Sequence, residues 1–202
     1  KKMDVIYIIF SYLIGSIPTA YIFFKFAQNK DIRNHGSGNS GALNIWRSQN
    51  IISGALVLLI DLLKAISIAI TGKNLEISEI AFYVGTTSAV IGHNYPIYLK
   101  FKGGKGVSVV AGITLIIITI PSFIAGITIG LVALLTRSPL WGIFCGALIL
   151  NTLTLVLEQS IVLSVWCAIL SIIVGLTHLF RRKDDLIPAI KNIDLKKIGK
   201  IE

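Results

Sequence analysis

Residues 51–71 read IISGALVLLIDLLKAISIAIT, and this stretch indicates the class of protein. Apart from Asp61 and Lys64 it carries no charged residue over its whole length. A helix needs about 20 mainly apolar residues to cross the hydrocarbon core of a bilayer. The stretch therefore predicts a helix that spans a membrane.

Other apolar runs follow the same pattern along the chain. With the first they cover residues 5–27, 51–71, 80–91, 107–119, 121–135, 140–157 and 160–180. Pro121 separates two short runs, which are expected to form a tight hairpin because the joined stretch is too long for one crossing. The run at 5–27 outlasts the apolar part of a signal peptide and predicts a retained helix. We expect an all-α, polytopic membrane protein of about seven transmembrane helices, forming one domain over residues 1–202.

The composition supports a membrane protein. The chain is 54% hydrophobic and 14% charged, whereas soluble domains carry about 25% charged residues. The net charge is +9, but the positions of the charges point to a membrane surface, and no nucleic-acid partner is predicted. Cys145 and Cys167 lie inside apolar runs with no further ligand at metal-binding spacing, which indicates small hydrophobic residues and no metal site.

Lysine and arginine are distributed unevenly between alternate loops. With the amino terminus outside, fifteen of the 19 basic residues fall in inner segments and three in outer ones, while Lys64 lies within the second run. Cytoplasmic flanks collect basic residues, so this distribution predicts an outside amino terminus and a cytoplasmic carboxyl terminus. The basic, amphipathic tail from Arg181 onward is expected to lie on the membrane surface.

The first inner loop is rich in glycine, and reads RNHGSGNSGALNIWR over residues 33–47. Its glycines let the backbone turn sharply and aim N–H groups at one point, which favours an anion. The final arginine offers a planar fork that suits phosphate oxygens. No strand precedes the GxGxxG pattern, which excludes dinucleotide binding, and a flexible connector is the alternative to phosphate binding. The candidate residues are Gly36, Ser37, Gly38, Asn39, Gly41, Asn44 and Arg47.

The second inner loop reads GHNYPIYLKFKGGKG over residues 92–106. Its last four residues place bare backbone and an ammonium group directly before an apolar helix, where unpaired N–H groups favour an anion. The loop lacks the spacing and the Ser or Thr of a Walker motif. A basic clamp on anionic lipid explains Lys100 and Lys102, but not the surrounding glycines. The candidate residues are His93, Gly103, Gly104, Lys105 and Gly106.

Other polar residues are set into or beside the apolar runs. Asp61 and Lys64 are three residues apart, so they share one helix face and can neutralise each other. Charges at membrane depth often mark function, and both a structural ion pair and a substrate role stay open for this pair. Arg137, in the inner turn 136–139, and His178, at the end of the last run, are further candidates near the inner surface.

These motifs resemble those of a known family. GSGNSGALNIWR at 36–47 and GHNYPIYLKFKGGKG at 92–106 are similar to the first two signature loops of the bacterial acyl-phosphate-dependent glycerol-3-phosphate acyltransferases. The likeness extends to the chain length, the number of crossings, the aspartate and lysine of the second helix, and the Thr136–Arg137 pair.

The resemblance implies transfer of a fatty acyl group from acyl phosphate to the 1-hydroxyl of glycerol 3-phosphate. The products are lysophosphatidate and phosphate, at the first step of phospholipid synthesis. It also implies that no metal or other cofactor is needed. The expected location is the bacterial cytoplasmic membrane, with the active site on the cytoplasmic face. Membrane lipid and the enzyme that makes acyl phosphate are the implied partners.

Carried over by position, the resemblance assigns catalysis to Ser37, Arg47, Lys105 and His178, and phosphate binding to the glycines of the second loop. The sequence departs from the family pattern at several positions. Ser40 replaces a proline, Leu43 a threonine and Leu140 a serine, and beyond His178 the family's asparagine and arginine are replaced by Arg181 and Asp184.

Two other functions are considered. A transporter or channel for phosphorylated small anions would also use a basic inner vestibule and broken helices, but it predicts polar outer loops, which here are short and acidic. A non-catalytic lipid-binding relative would explain the changed third motif. For the acyltransferase, the sequence contains no evident Cys–His or Ser–His–Asp set, so direct transfer without a covalent intermediate is expected.

Overall fold

A computed structural model describes residues 1–182, and every regular element in that part of the chain is helical. The predicted basic tail, apart from Arg181 and Arg182, lies outside the described residues. The α-helices are α1 (Lys2–Gly15), α2 (Thr19–Gln28), α3 (Ala42–Ser48), α4 (Ile51–Asn74), α5 (Glu79–Asn94), α6 (Val107–Ile117), α7 (Thr119–Thr136), α8 (Pro139–Leu153) and α9 (Ile161–Arg181). Short 3₁₀ turns lie at Ile32–Asn34, where the first glycine-rich loop begins, and at Ile97–Leu99, within the second. A π-helical turn at Thr154–Glu158 extends α8.

Several helical segments in residues 1–182 are long and apolar enough to cross a membrane. They are Lys2–Gln28, Ile51–Asn74, Thr119–Thr136, Pro139–Glu158 and Ile161–Arg181. Only 17 to 33% of the most apolar part of each segment is buried inside the protein. A helix that is apolar all round and mostly uncovered needs an apolar solvent, so these faces are suited to lipid.

The other two predicted runs form shorter helices. Helix α5 has 16 residues and α6 has 11. At a rise of about 1.5 Å per residue they extend roughly 24 Å and 16 Å, less than the hydrocarbon thickness of about 30 Å. The helical nature of all seven runs is therefore confirmed, whereas the number of crossings and the orientation of the termini stay predictions.

Two helix breaks differ from the sequence expectation. The run at 5–27 is divided between α1 and α2 by residues 16–18, where Pro18 has no N–H to continue the first helix. Pro121 does not separate α6 from α7: the break falls at Ile118, and Pro121 is the third residue of α7. In the first turn of a helix the N–H groups have no partner within it, so proline costs little there. The predicted position of this break was wrong by three residues, and the hairpin stays a prediction.

The chain forms two compact units, residues 1–117 and the part that begins at Ile118. In the first unit α1 packs closely on α5. Gly15 of α1 lies so near the backbone of Ala89 that a methyl group on it would overlap that backbone. The hydroxyl of Tyr7 donates to the carbonyl oxygen of Ile68 over 3.1 Å and ties α1 to α4. The prediction of one domain over residues 1–202 is not tested by this division.

A small apolar core in the first unit supports the first glycine-rich loop. Side chains from α2, the 3₁₀ turn, α3 and α4 meet there with at most 3% of their surface exposed. Its members are Ala20, Phe24, Ile32, Ile45 and Val57. Ile32, just before the loop, and Ile45, near its end, are fully buried in this core. The backbone is therefore anchored on both sides of the glycine-rich segment.

In the second unit α7 and α8 lie in close contact. Gly142 and Gly146 face Ile129, where a larger residue would overlap α7. The amide of Asn151 donates to the hydroxyl of Ser171 over 2.9 Å and joins α8 to α9. Cys167 is buried near Thr154, in agreement with its interpretation as a small hydrophobic residue.

Candidate active site

The first loop is organised around the side chain of Asn44. Its amide nitrogen donates to the carbonyl oxygens of His35 and Asn39, each at 2.9 Å, and its amide oxygen accepts from the N–H of Ser37 at 2.9 Å. The residue is only 2% exposed. Both ends of the amide are thus used within the protein, where they hold the loop in shape. The contact of Asn44 with phosphate stays a prediction.

Two glycines of this loop have backbone conformations that other residues rarely adopt. Gly36 has a φ of 56° and Gly38 a φ of 71°. A side chain on Gly36 would also collide with the amide of Asn44. These positions need glycine for the turn itself.

Arg33 joins the first loop to the second. Its Nη2 lies 2.6 Å from Oδ2 of Asp31, and its Nη1 donates to the carbonyl oxygen of Leu99 over 3.1 Å. The hydrogen-bonded guanidinium lowers the pKa of the Asp31 carboxyl. The guanidinium carbon also lies 5.4 Å from the ring centre of Tyr21. Sequence reasoning missed this residue; the only signal was an aspartate two positions earlier.

Arg47 is near the exposed end of α3, and partial burial lowers the pKa of its guanidinium. The next residue, Ser48, places its hydroxyl 3.5 Å from the Asn44 oxygen that also accepts from Ser37. Ser37 and the last turn of α3 are therefore neighbours. Asn39 is partly buried in the same loop, and Gly41 precedes the first turn of α3.

The second loop folds back on the end of α5. The N–H groups of Gly103 and Gly104 donate to the carbonyl oxygens of Asn94 and His93 over 3.1 and 2.9 Å. A side chain on Gly103 would overlap Pro96, and one on Gly104 would overlap the imidazole of His93. These two glycines allow close packing, and their N–H groups donate to backbone carbonyl oxygens. Their part in binding phosphate stays a prediction.

Helix α6 begins at Val107, directly after Gly106, as predicted. Gly106 has a φ of 86°, which turns the chain into the helix. The first N–H groups of a helix have no acceptor within it. Lys105 is partly buried at this helix start, whereas Lys100 and Lys102 are exposed. The ammonium and the helix start are the groups here with the right charge for an anion.

A buried polar network lies beneath the second loop. Oδ1 of Asp61 is 2.7 Å from Nζ of Lys64, which confirms that the pair shares one face of α4. The same oxygen accepts from the hydroxyl of Thr19 at 2.8 Å. Lys64 also contacts Nδ1 of His93 at 3.2 Å. The sequence predicted the ion pair, but not that α2 and α5 contribute to it.

Arg137 and His178 belong to the second unit. Arg137 ends α7 with a φ of 53° and is exposed, next to Ser138, whose hydroxyl caps α8. His178 is in the last turn of α9 and is 7% exposed. Their place in one site with the two loops stays a prediction.

Comparisons with known proteins bear on what these loops do. The family model described as glycerol-3-phosphate acyltransferase matches residues 5–188. That range contains both glycine-rich loops, the buried network and His178.

The chain belongs to the glycerol-3-phosphate acyltransferase family. This confirms the resemblance found in the sequence.

Several members of the family are similar over most of their length. A glycerol-3-phosphate acyltransferase of Desulforamulus reducens is 36% identical over 156 residues, which are 77% of this chain and 78% of the relative. One from Halalkalibacterium halodurans is 34% identical over 190 residues, covering 89% of this chain and 88% of the relative. The fold is similar to a crystal structure of PlsY, an integral membrane glycerol 3-phosphate acyltransferase, in its glycerol 3-phosphate form. The TM-score is 0.81 with 26% identity, over 94% of this chain and 92% of that one.

Proposed function

We propose that this protein transfers a fatty acyl group from acyl phosphate to the 1-hydroxyl of glycerol 3-phosphate, giving lysophosphatidate and inorganic phosphate. The proposal rests on membership of the family and on one observation in the first unit. Arg33 in the first glycine-rich loop donates to the carbonyl oxygen of Leu99 in the second, so the two loops are linked directly.

The reaction needs placement more than activation. Acyl phosphate is a mixed anhydride and is reactive by itself. The hydroxyl oxygen of glycerol 3-phosphate attacks the acyl carbon, the bond from that carbon to the phosphate oxygen breaks, and phosphate leaves with the electron pair. The hydroxyl proton passes to a phosphate oxygen. Holding two such reactants in line supplies much of the rate by proximity alone.

The charges of the site match the change in charge during the reaction. Negative charge builds on the departing phosphate, and Lys105 with the start of α6 would stabilise it. Arg47, with a guanidinium that forms paired hydrogen bonds to phosphate, would hold a second anionic group beside Ser37. Asn39 and the turn at Gly36, Gly38 and Gly41 would shape the first loop around it, and Gly103, Gly104 and Gly106 would shape the second.

From the resemblance, roles in acyl transfer are proposed for Arg137 and His178 as well. Arg137 would add positive charge, and His178, at the end of α9, would hydrogen-bond a substrate oxygen. We further propose seven crossings with an outside amino terminus, so that both loops face the cytoplasm of a bacterial cell. There a cytosolic acyl-phosphate-forming enzyme would deliver its product.

The test is acyl transfer by the purified protein in detergent or liposomes, with palmitoyl phosphate and labelled glycerol 3-phosphate. Lys105→Ala and Arg47→Ala should each lower the rate by about 100-fold or more. The first removes the charge that stabilises the departing phosphate, and the second removes the charge that holds the other anionic group in place. Lys102→Ala is the matched control, since it removes an exposed lysine from the same loop. It should retain most of the activity.

The result also separates the other functions. Labelled lysophosphatidate formed by the wild type, and lost in the two variants, supports the proposal. Binding of both substrates without product would indicate a non-catalytic lipid-binding protein and overturn it. Uptake of labelled glycerol 3-phosphate into liposomes without acylation would indicate a transporter and overturn it as well.

A further inference from the structure

The ammonium of Lys64 has three hydrogen-bond contacts inside the first unit. Nζ lies 2.7 Å from Oδ1 of Asp61, 2.9 Å from the carbonyl oxygen of Ile17 and 3.2 Å from Nδ1 of His93. An ammonium has three protons and cannot accept a hydrogen bond. All three protons are therefore directed at acceptors, and Nδ1 of His93 is one of them.

The contacts of Lys64 bear on the state of the imidazole, whose Nδ1 also lies 3.8 Å from Oδ1 of Asp61. A lysine ammonium that donates to Nδ1 requires a ring without a proton on that nitrogen, which is the neutral tautomer with its proton on Nε2. That nitrogen is on the side of the second loop, because a side chain on Gly104 would collide with it. The imidazole thus connects a buried ion pair to the loop that the proposed function assigns to phosphate.

The ion pair is itself held in position. Asp61 is 1% exposed and Lys64 8%, and Oδ1 of Asp61 also accepts from Thr19 at the start of α2. Lys64 reaches the carbonyl oxygen of Ile17 in the break between α1 and α2. Removing two charges from water costs several kcal/mol per ion in a protein interior unless hydrogen bonds compensate. If the ion pair served only to fasten α4 to the break between α1 and α2, it would not need to contact His93 beside the second loop.

We infer that Asp61 and Lys64 are positioning residues for acyl transfer, which hold His93 as the neutral imidazole with its proton on Nε2 against the loop at residues 103–106. In that state Nε2–H can donate to an oxygen at the loop, while Nδ1 is fixed by the lysine. The inference rests on the proposed function. It gives the pair a role beyond mutual neutralisation.

The central variant is Asp61→Asn combined with Lys64→Met. It removes both charges and leaves no single buried charge behind, so the protein is expected to fold. It should lower kcat about 10- to 100-fold with a smaller change in KM for glycerol 3-phosphate, by analogy with the loss of partners that orient metal-binding histidines. Lys73→Met is the matched control: it makes the same substitution on α4, where Lys73 contacts the carbonyl oxygen of Ile116. Its rate should equal that of the wild type.

The tautomer is measured directly. The chain has three histidines, so ¹⁵N-histidine labelling gives a simple spectrum, and the His93 signals are those lost in His93→Gln. The wild type should show a proton on Nε2 and none on Nδ1. The double variant should lose this preference, whereas a role limited to structure would leave it unchanged.

Conservative replacements of His93 separate its two nitrogens. Glutamine places an N–H near the position of Nε2, while asparagine reaches only the position of Nδ1. His93→Gln should therefore retain at least tenfold more activity than His93→Asn. Equal loss in both variants, or a double variant with unchanged kcat and an unchanged tautomer, overturns the inference and leaves the proposed function standing if Lys105→Ala is still inactive. A wild type without acyl transfer overturns both.

Discussion

Nη1 of Arg33 donates to the carbonyl oxygen of Leu99 across 66 positions of sequence, and this hydrogen bond joins the two glycine-rich loops. The guanidinium is also bound by Asp31, whose carboxylate lies 2.6 Å away. Asp31 accepts from Nε and Nη2 of the guanidinium, and Leu99 accepts from Nη1. The relative position of the loops therefore depends on a residue that is not itself among the proposed substrate ligands.

Arg33→Ala should lower the rate of acyl transfer about tenfold or more. Hydrogen bonds to charged groups contribute about 1.5–3 kcal/mol, and both loops lose a shared anchor. The rate is measured with palmitoyl phosphate and labelled glycerol 3-phosphate. Lys30→Ala, at an exposed position three residues earlier, is the control and should remain active. An Arg33→Ala protein with the wild-type rate would show that the loops keep their places without this link.

The Asp31–Arg33 pair should weaken in acid. Because the pKa of the Asp31 carboxyl is lower in the folded protein, the pair stabilises the fold fully above the unfolded value of about 3.9. That contribution is lost as the pH falls through the folded pKa. Thermal unfolding of the detergent-solubilised protein should show a higher midpoint for the wild type than for Asp31→Asn at about pH 6. The difference should shrink on acidification, and a gap that is constant with pH would contradict the assignment.

The sequence predicted features that depend on local spacing. Seven apolar runs are helices because each carries its own signal, and Asp61 with Lys64 forms a pair because three residues make almost one helical turn. The start of α6 after Gly106 was predicted for the same reason. The two signature loops identified the family because their glycines and cations stand in fixed order.

Features that depend on contacts between distant residues were missed or misread. Thr19 and His93 contact the Asp61–Lys64 pair from other helices. No spacing in the sequence predicts these contacts. The hydrogen bonds of Asn44 to the backbone of its loop were not foreseen, because an asparagine in a glycine-rich loop can bind either substrate or backbone. Pro121 was interpreted as a helix break. Proline is found both in the first turn of a helix and in the loops between helices, so its presence alone does not tell the two apart.

Asn44→Asp should abolish most activity while the protein still inserts into the membrane. A carboxylate cannot donate, so it would oppose the carbonyl oxygens of His35 and Asn39, to which Asn44 now donates. Each unpaired buried polar group costs about 1–3 kcal/mol, enough to open the loop without unfolding the helices. Asn34→Asp, at an exposed position of the same loop, is the matched control. If Asn44→Asp acylates at the wild-type rate, the loop does not need this side chain.

Gly104→Ala tests how closely the second loop must approach α5. A methyl group there would overlap the imidazole of His93, so either the loop or the ring has to move. Misplacement of catalytic groups by about 1 Å can cost about 100-fold in rate, and a loss of that size is expected. Gly126→Ala is the control, because a methyl group on Gly126 meets no atom within 4 Å. Its rate should match that of the wild type, and its melting temperature should be equal or slightly higher, because alanine favours a helix more than glycine does. Should Gly104→Ala stay fully active, the close packing of His93 against the loop would have no part in acyl transfer, since the added methyl group cannot be accommodated without displacing one of them.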